Sequence, residues 1–190
     1  MIKAIFLAAG QSKRLKYENK LVKRYKKTPL INHSLKVLHK SKVKKVIVVL
    51  GHQHKEVKKI ILKNKKNIFI YNKDYKQGIA SSIKVGLKKV ARNDKGFIVV
   101  QSDMPFIKKS DINKIYNSIK LKKFLVHVLK FKNKIGNPIG FDISLTKRFK
   151  KIKGEHGAKF MVKRLKNKTN FIKVNSSKVF KDFDLKKDFN

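Results

Sequence analysis

The 190-residue chain contains no cysteine. A disulfide framework and a thiolate metal site are therefore excluded, and nothing speaks for an oxidising compartment. Long apolar runs are missing too. The first one, Ile2 to Leu7, stops at Ala8-Ala9-Gly10 and is far too short for a signal peptide or a membrane span. A soluble cytoplasmic protein with no membrane partner is the expectation. Acids are the third scarcity, with 11 Asp and Glu against 51 Lys and Arg and a formal net charge of +40. Such a balance suits nucleic acid, an anionic surface or a phosphorylated substrate. Lysine, however, is spread over almost every segment instead of gathering on one face with interleaved aromatics. A solvated lysine-rich surface of the kind AT-rich codons produce is the simpler reading. Nucleic acid is not an expected partner, although the charge would still draw in nucleotides.

Hydrophobic residues make up 41% of the chain, enough for a core of its own, and the length fits one domain over residues 1–190. Short apolar runs alternate with amphipathic stretches, which predicts an α/β fold: a mostly parallel sheet with helices on both faces, in a Rossmann-like three-layer α/β/α arrangement. The expected strands are Ile2 to Leu7, Lys45 to Leu50, Ile68 to Tyr71, Phe97 to Gln101, Leu125 to Phe131 and Phe171 to Val174. Helical patterns cover Pro29 to Lys40, Lys55 to Lys65, Ala80 to Ala91, Ser110 to Lys120, Ser144 to Lys150 and Ala158 to Lys166. In such a sheet the ligand crevice lies beyond the carboxyl ends of the strands.

The residues just after the strands carry the chemistry. Leu7-Ala8-Ala9-Gly10 lets backbone approach a ligand closely, and a chain turning there can aim amides at an anion. Ser12 adds a hydroxyl, Lys13 and Lys20 add mobile charge, and Arg14 adds a rigid fork suited to phosphate oxygens. A plain strand-to-loop turn would contain the same small residues. After the fourth apolar strand comes Asp103, one of few acids, followed by Met104-Pro105. A hard ion such as Mg2+ takes one or two carboxylates together with phosphate oxygens, and Asp103 suits that role; a capping acid before a proline is the plainer alternative. Gly78 precedes a helical stretch whose first turn holds Ser81 and Ser82, groups able to meet the edge of a base or simply to cap the helix.

LAAGQSKR followed by Lys20 resembles the L-A-A-G-x-[SG]-x-R-M-G-x-x-K signature of MobA-like nucleotidyltransferases, with a short insertion and with Leu15-Lys16 where the family has Met-Gly or Leu-Gly. Asp103-Met104-Pro105 resembles the D-[QM]-P of the molybdenum-cofactor branch, and Gly78 to Leu87 its G-x-x-x-S-L-x-x-G-L. Gly136-Asn137-Pro138-Ile139-Gly140-Phe141 is similar to G-x-P-x-x-F, and Gly154-Glu155-His156-Gly157-Ala158-Lys159 to G-D-x-G-A-R, both expected as glycine-rich turns. Asp182, Asp184 and Asp188 resemble the acids of a C-terminal D-[IV]-D-T-P-E-D.

The resemblance implies an enzyme that transfers CMP from CTP to the phosphate of molybdopterin and releases pyrophosphate. Catalysis would fall to Arg14, Lys20 and Asp103, and Mg2+ to Asp103 and Asp184. The nucleotide would meet Leu7 to Gly10, Ser12 to Arg14, Lys20, Gly78, Ser81 and Ser82. The acceptor would meet Asn137, Pro138, Gly154, Glu155, Gly157 and Lys159, and an apo-molybdoenzyme would be a possible receiver. Alternatives are a guanylyltransferase, a sugar- or alcohol-phosphate nucleotidyltransferase, and a non-catalytic basic or cofactor-chaperone module.

Overall fold

A computed structural model describes residues 1–12, 15 and 18–189. In chain order the elements are β1 (Ile2–Ala8), the short β2 (Arg24–Tyr25) and β3 (Thr28–Pro29), α1 (Leu30–Lys40), β4 (Val46–Leu50), α2 (His54–Ile60) and β5 (Asn67–Tyr71). There follow α3 (Ile79–Leu87), β6 (Gly96–Gln101), α4 (Lys109–Lys120), β7 (Val126–Phe131), β8 (Lys134–Asp142), α5 (Thr146–Phe149), α6 (Ala158–Arg164) and β9 (Thr169–Lys173). Seven strands form one sheet in the order β5-β4-β1-β6-β8-β7-β9. β5, β4, β1 and β6 run parallel, β8 runs antiparallel to both its neighbours, and β7 pairs with β9 in parallel.

Side-chain alternation along each strand builds two separate cores. From β1, Ala4, Phe6 and Ala8 pack with Ile31 and Leu35 of α1, Val57 of α2 and Ile115 of α4. Ile5 and Leu7 point the other way, toward Ile83 of α3, Phe149 of α5 and Met161 of α6. With helices on both faces neither side of the strand meets water, so the strands read as continuous apolar runs. This is the expected three-layer α/β fold with a mostly parallel sheet.

Two expectations are corrected. The stretch 136–141 is not a turn but the body of β8, packed between β6 and β7. Its glycines mark close approach: a Cβ on Gly140 would lie 2.4 Å from the Ile115 side chain and 2.9 Å from that of Ile119, both on α4. A register shift between Val128 and Leu129 absorbs the Asn137-Pro138 segment. The second correction is that α2 stops at Ile60 instead of Lys65. Buried Asn32 of α1 donates to the Ile60 carbonyl at 2.8 Å and accepts from the Leu62 amide at 3.2 Å, so the chain leaves the helix there. No helix among the described residues is long and apolar enough to cross a membrane.

From β1 the chain moves outward through β4 to β5, then returns past β1 to β6 on its other side. The connections diverge at the carboxyl ends of β1 and β6, where an open sheet of this kind forms its crevice.

Candidate active site

A cleft of about 480 Å³ opens at that point, walled by Leu7, the Ala9 to Ser12 loop, Lys20, Gly78, Ser82, Asp103, Glu155, Asp182 and Asp184. Its floor is tied together by hydroxyls. Ser102, after β6, donates to the Leu7 carbonyl at 2.7 Å, and Ser34 of α1 donates to the Ser102 carbonyl at 3.1 Å. Ser12 sits at φ +52° and its hydroxyl oxygen accepts the Lys20 backbone N–H at 3.1 Å, which draws the loop back across the cleft. The loop is also pressed from beneath. A Cβ on Gly51, just past β4, would lie 2.7 Å from the Ala9 Cβ. No atom of the described residues lies within 4 Å of a Cβ placed on Gly10.

Three charged groups meet at the cleft wall. The Lys20 ammonium is 2.6 Å from Asp103 Oδ2 and 2.7 Å from Asp184 Oδ1. Asp103 is held by the end of β6. Asp184 is brought in by its neighbour Phe183, only 1% exposed, whose amide donates to the Asp103 carbonyl at 3.0 Å. The Phe183 ring packs edge-on against Tyr25 at 4.8 Å and against Phe189 at 5.3 Å, and lies 5.8 Å from Phe106. Asp188 takes a different part: its carboxylate accepts the amides of Asp184 and Leu185 at 3.0 and 2.9 Å and so shapes the turn. Burial opposes the charge on Lys20, but the two carboxylates outweigh it and hold the ammonium above the usual lysine range. Burial pushes the Asp103 carboxyl up from its ordinary value, and Lys20 offsets part of that rise.

Asp103 Oδ1 is buried and has no hydrogen-bond partner among the described residues. A buried anionic oxygen left open in this way suits a cation arriving from the cleft. The described residues hold no cluster of three or more His, Cys, Asp or Glu side chains able to hold an ion. Asp103 and Asp184 thus fit a hard divalent ion whose remaining ligands are substrate phosphate oxygens and water, as Mg2+ prefers.

At the far wall, Gly78 has φ +93°, and a Cβ there would lie 2.5 Å from the Gly154 carbonyl and 2.9 Å from Glu155 Oε1. The Ala80 amide of α3 donates to the Gly154 carbonyl at 3.0 Å. The Gly154-Glu155 segment is therefore seated on the start of α3, which brings two expected motifs together. Asn72, wholly buried after β5, donates to the hydroxyls of Ser81 and Ser82 at 2.9 and 3.0 Å. Ser82 lines the cleft; Ser81 faces a neighbouring depression and donates to backbone carbonyls of Asp74 and Gly78.

Of the expected residues, Leu7, Ala9, Gly10, Ser12, Lys20, Gly78, Ser82, Asp103, Glu155 and Asp184 line this one cleft. Ala8 is buried beneath it. Asn137, Pro138, Gly154, Gly157 and Lys159 are not among its lining residues; Lys159 extends beside Gly136 of β8 instead. Lys13 and Arg14 lie outside the described residues. Sequence reasoning missed Tyr75, Lys76 and Gln101 in the lining, together with Gly51, Asn72 and the anchor Phe183. Gly51 and Asn72 directly follow apolar strands, a signal that could have found them.

Residues 4–169 match the model of the MobA-like NTP transferase domain. The bifunctional protein GlmU of Clostridioides difficile strain 630 is 29% identical over 140 residues, 73% of this chain and 29% of that protein. The chain thus spans less than a third of that relative's length. Among solved structures, Rv0371c from Mycobacterium tuberculosis H37Rv superposes with a TM-score of 0.86 at 21% identity, covering 99% of this chain and 95% of that one. Its manganese complex gives 0.82 at 19% identity with the same coverage. Molybdopterin-guanine dinucleotide biosynthesis protein A from Archaeoglobus fulgidus gives 0.73 at 16% identity, covering 98% and 94%. A cleft at the β1/β6 switch point, two carboxylates facing a small-residue loop, and a family match across most of the chain lead to one conclusion: this protein belongs to the MobA-like NTP transferase family.

Proposed function

We propose that the protein is a cytoplasmic molybdenum cofactor cytidylyltransferase, moving CMP from CTP to the phosphate of molybdopterin with release of pyrophosphate. The observation that carries the reading is the meeting of Asp103 and Asp184 with Lys20 opposite the Ala9 to Ser12 loop in one cleft. Asp103 and Asp184 would hold Mg2+, which when bound would neutralise phosphate charge and make the α-phosphorus more open to the acceptor oxygen. Nucleotidyl transfer needs positioning and charge neutralisation, and the acceptor phosphate is already ionised at neutral pH, so no side chain need act as nucleophile or base.

The backbone amides near Gly10 and the charge of Lys20, with Lys13 and Arg14, would stabilise the departing pyrophosphate. Gly78 and Ser82 would face the base, Ser82 held in place by Asn72. Glu155 reaches the cleft from the acceptor flank, where Asn137, Pro138, Gly154, Gly157 and Lys159 would complete the pocket. Lysine at 159 keeps a charge without the bidentate fork of arginine. An apo-molybdoenzyme would receive the product.

The test is pyrophosphate release with CTP, GTP or UTP, Mg2+ and molybdopterin. CTP turnover well above the others is expected. A wide preference for GTP, or turnover with a sugar or alcohol phosphate in place of molybdopterin, would overturn the assignment.

A further inference from the structure

The Lys20 ammonium occupies the position between the two carboxylates that a bound cation would use. It lies within 2.7 Å of one oxygen from each, and the Lys20 and Asp103 side chains are only 14% and 13% exposed. A free divalent ion approaching Asp103 and Asp184 meets two negative charges already neutralised in part by a positive one. The described residues supply no further cluster of acids or histidines to compensate. Yet Asp103 Oδ1 remains without a partner, so the pair keeps coordinating capacity that Lys20 does not consume.

Resting on the reading of this cleft as a metal-assisted nucleotide site, we infer that Lys20 is a resident counter-ion that closes the carboxylate pair to free metal until a nucleoside triphosphate draws it away. A lysine suits this because its charge rides on a flexible four-carbon stem and can change partners without backbone movement. The Lys20 amide is fastened to Ser12 in the loop proposed to offer amides to phosphate, so a polyphosphate seated there would bring acceptors into the cleft the ammonium already lines. When the ammonium turns to the phosphates, its hold on Asp103 and Asp184 is released, and the triphosphate adds oxygen ligands of its own. Ion and nucleotide then enter as one unit, and each raises the affinity of the other by the same factor. The protein would thus be protected from idle occupation by metal alone.

The experiment titrates Mn2+ into the full chain without nucleotide and follows the free-ion signal by electron paramagnetic resonance. Lys20→Met should bind Mn2+ at least about tenfold more tightly than the parent, a modest value for a coupling between sites. Lys76→Met, which removes a charge from the same cleft, should leave Mn2+ affinity nearly unchanged. Equal affinity in Lys20→Met and parent overturns the inference, and so does an equal gain in Lys76→Met, which would mean general charge relief. A second measurement uses the unsubstituted protein and does not depend on a variant's folding. The nitrogen-15 ammonium resonance of Lys20 should persist with Mg2+ alone and move when CTP is added; movement with Mg2+ alone sinks the idea. The Mn2+ arm involves no nucleotide, so a failure there is separable from a failure of the cytidylyl assignment.

Discussion

A lysine and an aspartate meet at each end of the central strands, and the two pairs differ in what surrounds them. At the amino ends, Lys3 at the start of β1 lies 2.8 Å from Asp94, which precedes β6. The terminal amine is 3.1 Å from the other oxygen of Asp94, the Ala91 amide donates to Asp94 at 2.8 Å, and Lys3 donates to the Lys89 carbonyl at 3.0 Å. Burial opposes ionisation of Asp94, but Lys3, the Ala91 amide and the terminal amine prevail and hold its pKa below the ordinary value. That knot is tight: both carboxylate oxygens face a cation, although Oδ1 makes no hydrogen bond among the described residues. At the carboxyl ends, Lys20 and Asp103 leave one carboxylate oxygen unanswered and open onto a cleft. The same two residue types therefore serve as a clasp in which each carboxylate oxygen faces a cation, and as a site where one oxygen is left open toward a cleft.

The largest effect expected from this contrast is on catalysis. Asp103→Asn should lower CTP-dependent pyrophosphate release about a thousandfold, the scale of losing one preorganised transition-state group. Because Lys20 keeps Asp184 as a partner, the unfolding free energy from chemical denaturation should change by no more than about 1 kcal/mol. Asp94→Ala should do the reverse. It strands Lys3 and the terminal amine and should destabilise the fold by about 4 kcal/mol in chemical denaturation, with activity per folded molecule unchanged. Because the Asp94 pKa is depressed in the fold, its contribution is complete at neutral pH and disappears only as pH falls through the folded value, below the ordinary carboxylate range. If Asp94→Ala abolished turnover in a folded protein, the contrast would break.

A buried histidine away from both sites sharpens the comparison. His127 of β7 is wholly buried, with Nδ1 2.7 Å from the Ser118 hydroxyl, which also accepts from Asn170 Nδ2 at 2.7 Å. Burial holds its pKa at about 4, below the usual 6.5. The unfolded chain therefore takes up a proton at this residue before the folded one does. Its contribution is whole above about pH 6.5 and falls as the pH drops toward 4, by about 3 kcal/mol in all. Denaturation midpoints between pH 7 and 4 should show that loss in the parent and its absence in His127→Gln. The smallest effect is steric. Gly140→Ala pushes a methyl into Ile115 and should cost about 2 kcal/mol, read as a lowered melting temperature with the CTP preference intact.

Legibility followed burial geometry. β1, β4 and β6 were visible because helices cover both faces, so each strand had to be apolar throughout. β8 was not, because Gly136, Pro138 and Gly140 read as turn residues when their neighbours are unknown. Only the crowding by α4 explains glycine at 140. In the cleft, Asp103 stood out as a rare acid after an apolar run, and the Ala8 to Ser12 loop by its small residues. Asn72 and Phe183 did not, since one buttressing amide or one aromatic anchor has no local pattern. The Phe183 ring is seated by Tyr25, Phe106 and Phe189, which lie far from it in the chain or belong to other segments.

What the chain's own order of residues determined is the alternation of apolar strands and amphipathic helices, and with it an α/β sheet whose polar residues collect at strand ends. Those are local consequences of side-chain period and steric size, and they need no knowledge of distant contacts. What only the tertiary structure decided is that Lys20 lies between Asp103 and Asp184, 83 and 164 positions away. Such a meeting depends on which strands become neighbours and on how Phe183 seats the C-terminal segment. No periodicity encodes it, because its energy exists only once the chain has closed on itself.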